Sequence, residues 1–247
     1  GTAAFATSAS LFASYPEFST TKPNGGQRGT EVKLTVTGSR LDDFEGLIFF
    51  SPGFTQKSVE KVEKNKVDLT IAIAPDVPPG NHLMRIRTKT GISHARQFFV
   101  GIFPNVEEKE PNSEFDTPQV LQLNQTVEGL ITNEDVDYYK VPLKKGQRLS
   151  VEVDGLRLGY TVFDPFLAII DKERFEKVIS DDTILHRQDG YCSYVAEEDG
   201  DYTVMIRESS YRGSGNSFYR LHVGSYRRPD VVYPAAGKIG SKTKVRF

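Results

Sequence analysis

Apolar and polar residues alternate with a period of two along most of this chain. Val32, Leu34 and Val36 fall on one side with Lys33, Thr35 and Thr37 on the other, and Val67, Leu69, Ile71 and Ile73 repeat the pattern. A two-residue period places alternate side chains on opposite faces of a pleated strand, so these runs predict half-buried strands. Further strands are predicted over 46–50, 82–88 and 96–100. A second series follows over 126–131, 137–142, 147–153, 161–170, 175–180, 191–196, 201–207 and 217–223. Turn-forming pieces separate them: Pro78-Pro79-Gly80-Asn81, Lys144-Lys145-Gly146, Asp189-Gly190 and Asp199-Gly200. Short strands at this spacing predict an all-β fold of two antiparallel β-sandwiches. The one helix-like stretch, Gln56 to Lys64 with Val59 and Val62 three apart, fits a loop with a strand equally well.

Composition narrows the class. With 38% hydrophobic and 26% charged residues, no Trp and a single cysteine in 247 residues, the chain is an ordinary globular protein rather than a disordered, collagenous or disulfide-stapled one. No apolar run approaches the roughly 20 residues of a membrane-spanning helix. One cysteine cannot form an internal disulfide and leaves the compartment open.

Charge divides the chain more sharply than its total of −2 suggests. Residues 1–101 hold 12 basic and 9 acidic groups, residues 102–224 hold 13 and 23, and residues 225–247 hold 6 and 1. The acidic middle, with no basic stripe, argues against a nucleic-acid partner. The basic end repeats the start: Pro23-Asn24-Gly25-Gly26-Gln27-Arg28-Gly29-Thr30-Glu31-Val32-Lys33-Leu34 returns as Pro234-Ala235-Ala236-Gly237-Lys238-Ile239-Gly240-Ser241-Lys242-Thr243-Lys244-Val245. The expected organisation is therefore a segment 1–16, domains over 17–101 and 102–224, and the start of a further repeat over 225–247. The small residues of Ala3-Ala4-Phe5-Ala6-Thr7 suit the region behind a removed signal peptide, which predicts export.

Particular residues carry two resemblances. Gly29-Thr30-Glu31-Val32, Val36-Thr37-Gly38-Ser39-Arg40-Leu41, Ile48-Phe49-Phe50, Val77-Pro78-Pro79-Gly80-Asn81-His82 and Phe98-Phe99-Val100 resemble an immunoglobulin-like TIG (IPT) domain over 17–101. The chain-end repeat would open a second such copy. In the second half come Glu108-Lys109-Glu110-Pro111-Asn112, Gly129-Leu130-Ile131, Asp135-Val136-Asp137-Tyr138-Tyr139, Leu143-Lys144-Lys145-Gly146-Gln147, Asp164-Pro165-Phe166-Leu167, Asp181-Asp182 and Glu198-Asp199-Gly200-Asp201-Tyr202-Thr203-Val204. This order resembles the bacterial pre-peptidase C-terminal (PPC) domain over 107–224. That resemblance implies a jelly-roll-like sandwich of the kind appended to secreted peptidases and surface proteins, including the collagen-binding domains of clostridial collagenases. Large exported proteins of planctomycete type combine the two kinds of domain.

The acidic opening of the second half is the candidate site. Glu108 and Glu110, two apart, point to one side of an extended chain, and Asn112 continues that side. Asp135 and Asp137 do the same at the next strand entry. Calcium takes about 6 to 8 hard oxygen ligands in a flexible shell, which such groups with backbone carbonyls can supply. The PPC resemblance implies the same ligands, Glu108, Glu110, Asn112, Asp135 and Asp137, with Ser113 standing where another amide or carboxylate is common. A bound calcium would sit where the two domains join and tie the linker 101–112 to the second sandwich. The alternative is a solvated acidic run, with Asp135 or Asp137 capping a turn.

Other constellations are weaker. Seven of the eleven tyrosines lie from Tyr191 onward; aromatic rows can stack on sugars or collagen, but strand propensity explains tyrosine equally well. Tyr202, directly after an Asp-Gly turn, reads as a fold anchor. Arg207 stands where collagen-binding relatives favour an aromatic. His82, His94, His186 and His222 show no metalloprotease spacing, no nucleophile elbow is present, and Cys192 reads as a small core residue. Asp181-Asp182 near His186 reads as a turn, and Asn124-Gln125-Thr126 is a formal glycosylation sequon.

The sequence thus predicts a non-catalytic accessory or binding module of an exported, multidomain bacterial protein, serving adhesion, substrate targeting or spacing. Its expected partners are a polysaccharide or extracellular protein and other domains of the same chain. The alternative is an accessory part of a secreted peptidase, or another hydrolase site where the sandwiches join.

Overall fold

A computed structural model describes residues 15–184, 186–229 and 231–246; nearly all of the expected N-terminal segment lies outside them. The chain divides into two compact units, 1–100 and 101–247, so residues 225–247 fall with the second unit.

The first unit is a β-sandwich. One sheet has the order β1 (Glu17–Lys22), β3 (Glu31–Ser39), β6 (Lys66–Ile73), β5 (Phe54–Val62). The other has the order β2 (Gly25–Gln27), β9 (Arg96–Gly101), β7 (Gly80–Thr88), β4 (Phe44–Phe49), with β8 (Gly91–Ile92) beside β7. The alternating residues do what their period dictates: Leu34, Val36, Val67, Leu69, Ile71 and Ile73 face inward and meet Met84, Ile86 and Phe98 from the opposite sheet. The stretch from Gln56 is strand rather than helix. It is an edge strand with almost every side chain exposed, so no alternation marks it, and two bulges break its register with β6.

The second unit packs two five-stranded sheets. One runs β10 (Asn105–Glu107), β12 (Gln125–Leu130), β19 (Phe218–Gly224), β14 (Arg148–Asp154), β17 (Tyr191–Val195). The other runs β11 (Gln119–Val120), β13 (Val136–Leu143), β18 (Gly200–Glu208), β15 (Pro165–Ile170), β16 (Glu176–Ser180). Most pairs are antiparallel, but β10 lies parallel to β12 and β11 parallel to β13. Both are short edge additions, β10 within the expected linker 101–112 and β11 a few residues after it, and Gln119 fastens the two segments together. Its amide accepts from Lys109 N at 2.7 Å and donates to Glu107 O at 3.0 Å. Thr161–Asp164, expected to open a strand, precede it. Val127, Tyr139, Val151, Leu167, Val204 and Leu221 belong to one core drawn from both sheets. Among the described residues no helix is long and apolar enough to cross a membrane.

Candidate functional site

The acidic cluster forms where the segment after β10 meets the end of β12 and the start of β13. Glu108 N donates to Glu128 O at 3.2 Å, continuing the run beside β12, and Tyr138 N donates to Asn112 O at 3.0 Å, tying the same segment to β13. On β13 the inward row reads Asp137, Tyr139, Val141, all fully buried. The innermost side chain at this end of the sandwich is therefore a carboxylate. Across the core, Tyr219 stands opposite Gly129, where any Cβ would run into the tyrosine ring. The glycine is what gives the ring its place.

The five expected ligands separate into two groups. Oxygens of Glu110, Asp135 and Asp137 lie within 4.8 Å of one another. Asn112, itself buried, turns its amide to the same point: as NH2 it donates to Glu110 Oε2 at 2.7 Å and Asp137 Oδ1 at 3.2 Å. Turned over, its carbonyl oxygen joins theirs as a third oxygen around one centre. Glu108 is placed differently. Its Oε2 accepts from Leu130 N at 3.0 Å and its Oε1 from the hydroxyls of Tyr139 at 2.9 Å and Tyr219 at 2.6 Å. It stands behind the cluster as a hydrogen-bond acceptor rather than in the set with Glu110. Asp135 caps the turn before β13: Oδ2 accepts from Thr132 N and Oγ1, and Oδ1 from Val136 N and the Ser113 hydroxyl. Ser113, standing where another amide or carboxylate is common in the resembled family, thus orients one of the carboxylates.

The electrostatics are unbalanced. Burial, then the neighbouring Glu108 and Asp135, push the Asp137 carboxyl up to about 10, against the pull of the Tyr219 hydroxyl. Burial also raises Glu110. Among the described residues no lysine or arginine pairs with Glu108, Glu110, Asp135 or Asp137. A proton count gives the same result. Tyr219 Oη touches Tyr139 Oη, Glu108 Oε1 and Asp137 Oδ2, yet two hydroxyls supply only two protons, so a carboxyl must carry a third or a cation must stand in for it. The two tyrosines had no part in the expected site. Tyr139 was traceable as the next inward residue after Asp137; nothing local marks Tyr219.

A second polar array lies on the outward side of the other sheet. Thr126 Oγ1 is 2.8 Å from His222 Nδ1, whose Nε2 is 2.9 Å from Asp154 Oδ2. The order of groups is that of a nucleophile, base and orienting acid, but Thr126 is fully buried, so its hydroxyl serves as an internal hydrogen-bond partner. Beside it Arg220 Nε meets Glu128 Oε1 at 2.6 Å with both side chains buried. Asp189, which follows the expected Asp181-Asp182 turn, caps the backbone N–H groups of Gly155, Leu156 and Arg157. Cys192 is a core residue whose thiol burial pushes up to about 12. Tyr202 is buried, and its hydroxyl donates back to Glu198 O at 3.4 Å, the contact of a fold anchor. Arg207 stacks its guanidinium 4.1 Å from the centre of the Phe166 ring and 4.4 Å from that of Tyr211.

Residues 135–208 match the family model of the bacterial pre-peptidase C-terminal domain. No curated protein matches the chain. Among solved structures, it is similar to the pre-peptidase C-terminal domain of a collagenase from Bacillus anthracis, at 13% identity and TM-score 0.36, covering 47% of this chain and 99% of that one. It is similar also to PliG of Aeromonas hydrophila, a periplasmic inhibitor of g-type lysozyme, at 16% identity and TM-score 0.33 over 43% and 95%. A third is SGBP-B of the Bacteroides ovatus mixed-linkage glucan utilization locus, solved with a heptasaccharide, at 11% identity and TM-score 0.31, where 85% of this chain covers 52% of that one. The part of the chain from Asp135 to Glu208, which begins inside the acidic cluster and runs through β18, is thus the stretch that carries the pre-peptidase C-terminal pattern.

Proposed function

We propose that this chain is a non-catalytic accessory and binding module of an exported, multidomain bacterial protein, and that its second sandwich holds a structural calcium ion at the acidic cluster. The first unit, in this reading, is the immunoglobulin-like TIG spacer. One observation carries the metal: Glu110, Asp135 and Asp137 converge within 4.8 Å around the amide of a buried asparagine, with no cationic side chain among the described residues to balance them. The donors are all hard oxygens, which suits calcium and not a thiophilic or imidazole-seeking metal. Glu110, Asn112 through its carbonyl oxygen, and Asp137 would hold the ion. Asp135 would join by releasing the Ser113 hydroxyl from Oδ1.

The ion would supply positive charge to a buried carboxylate set that otherwise retains a proton. Its structural effect would be local: Glu110 and Asn112 belong to the incoming segment, Asp135 and Asp137 to the sandwich, so a shared cation fastens one to the other. Glu108, Tyr139 and Tyr219 fix Asp137 from behind. On this reading the module serves adhesion, substrate targeting or spacing, and its ligand is a polysaccharide or an extracellular protein.

The test is calorimetric titration of chelator-treated protein with calcium, with melting curves of the wild type and of Glu110→Gln and Asp137→Asn. Saturable heat and a raised melting temperature, both lost in the variants, are expected, since a ligand of the folded state alone must stabilise it. Absence of both in the wild type would overturn the metal site. Glycan and matrix-protein arrays test the binding role, and a blank on both would leave a spacer.

A further inference from the structure

Residues 231–246 repeat the opening hairpin of the first unit in three dimensions, not only in sequence. Pro23 and Pro234, Gly26 and Gly237, and Gly29 and Gly240 are each 211 positions apart. At that same offset Gly29 has φ 77° and Gly240 φ 78°, a left-handed conformation that glycine adopts freely. Thr30 Oγ1 donates to Gln27 O at 2.7 Å, and its counterpart Ser241 Oγ donates to Lys238 O at 2.7 Å. Cross-strand register agrees as well. β1 pairs with β3 through Lys22 opposite Thr35, and the corresponding residues Tyr233 and Arg246 form an antiparallel bridge, with both backbone hydrogen bonds present at 2.9 and 2.8 Å. A generic proline-glycine loop would share the turn but not the pairing register, which is set separately by the strands.

What differs is burial. In the first unit β6 lies against β3 with Leu69 opposite Leu34, and Leu34 is 2% exposed. Val245, the counterpart of Leu34, is 44% exposed, and among the described residues no strand flanks 242–246 on that side. By the register of the first unit, Thr243 and Val245 correspond to Val32 and Leu34, which pack into its core, while Lys242, Lys244 and Arg246 alternate with them.

We propose that residues 231–246 are the opening hairpin of a second copy of the first unit's fold, and that a strand placed against 242–246 as β6 is placed against β3 completes it. The occupant follows from the first unit's own chain order: β6, which covers β3, comes after it. The completing strand runs antiparallel to 242–246 and carries apolar residues at alternate positions. It places an acidic residue opposite Arg246, as Asp68 stands opposite Thr35 and accepts from its hydroxyl at 2.7 Å.

Hydrogen exchange tests this on the chain ending at Phe247 and on the native polypeptide extended beyond it by a stretch as long as residues 37–101. In the longer chain the amides of 231–246 slow by roughly 100-fold or more, as a backbone joining a cooperative unit must. Val245→Asp abolishes that protection while exchange in 105–224 stays unchanged. Three results would overturn the proposal: intact mass showing that the native polypeptide stops at Phe247; equal exchange of 231–246 in both chains; or concentration-dependent protection in the shorter chain, which would make a second copy the cover.

Discussion

The hydroxyl of Tyr219 lies 2.6 Å from Asp137 Oδ2, joining residues 82 positions apart at the buried end of the second sandwich. The same hydroxyl contacts Glu108, so one phenol organises two carboxylates. Tyr219→Phe keeps the ring over Gly129 and removes only that group. Leaving buried acceptors without a donor costs about 1–3 kcal/mol, expected as a lower urea midpoint at unchanged slope. Tyr139→Phe is expected to cost less, because the Tyr219 hydroxyl still serves both Glu108 Oε1 and Asp137 Oδ2. No loss in either variant would mean that the phenols act only through packing.

Asp137 and Asp135 sit in one cluster and are expected to respond in opposite ways. Asp137→Asn replaces a buried carboxyl raised by burial and acidic neighbours with a neutral isostere. The metal-free protein is then no less stable than wild type at neutral pH, while any stabilisation by calcium is lost. Asp135→Ala removes the cap on Thr132 and Val136 and costs about 1–3 kcal/mol already in chelator, with a further loss in calcium because a ligand is gone. Melting curves of both variants in chelator and in calcium separate the two roles. Destabilisation of the chelator-treated Asp137→Asn protein would show that the carboxylate is satisfied by its neighbours alone.

Gly129 is expected to be intolerant of any side chain. An alanine methyl would meet the Tyr219 ring, and overpacking of this kind costs about 1–3 kcal/mol. Gly200, with nothing within 4 Å of a built Cβ, is the control, and Gly200→Ala should leave the denaturation midpoint close to wild type. Equal midpoints for the two variants would show that the ring moves aside freely.

These residues also show how far the sequence could be read. Strands such as β6 and β14 were legible because burial on one face imposes alternation, and the inward Asp137 was visible as an acid in such a pattern. β5 was not, because Lys57, Glu60 and Lys61 line an exposed edge where neither face is selected for apolarity. β10 and β11 are too short to carry a pattern and owe their pairing to Gln119, a contact between segments. The split of Glu108 from Glu110 was hidden for a related reason. Spacing places both on one side of an extended chain, but it cannot reveal that Tyr219, 111 positions from Glu108, claims one of them.

Arg220 and Glu128 form a buried pair that should be costly to break and cheap to replace. Arg220→Ala strands a carboxylate that is 7% exposed and is expected to lose about 3–5 kcal/mol, whereas the double change Arg220→Met, Glu128→Leu should recover most of it. Denaturation of both variants tests this. A double variant as unstable as the single one would mean that Asn105, whose side chain contacts both residues, needs the charges to hold β10.

The last prediction concerns acid. His186 Nδ1 lies 3.4 Å from Arg228 and 4.0 Å from Glu152. Burial first, then Arg157 and Arg228, lower its pKa from 6.5 to about 4, outweighing Glu152 and Asp154. The unfolded chain therefore takes up a proton at higher pH than the folded one. Stability from the neutral imidazole is complete above pH 6.5 and is lost as pH falls toward 4, by at most about 3 kcal/mol at 1.4 kcal/mol per pH unit. Asp154, held well below the usual carboxylate range by His222, Arg157 and Arg220 against the opposing effect of burial, adds its own loss only below 3.8, so the two windows do not overlap. Urea midpoints at pH 7, 5.5 and 4.5 should decline in the wild type and decline less in His186→Gln, which cannot take up the proton. Parallel declines would place the acid sensitivity elsewhere, in carboxylates shared by both proteins.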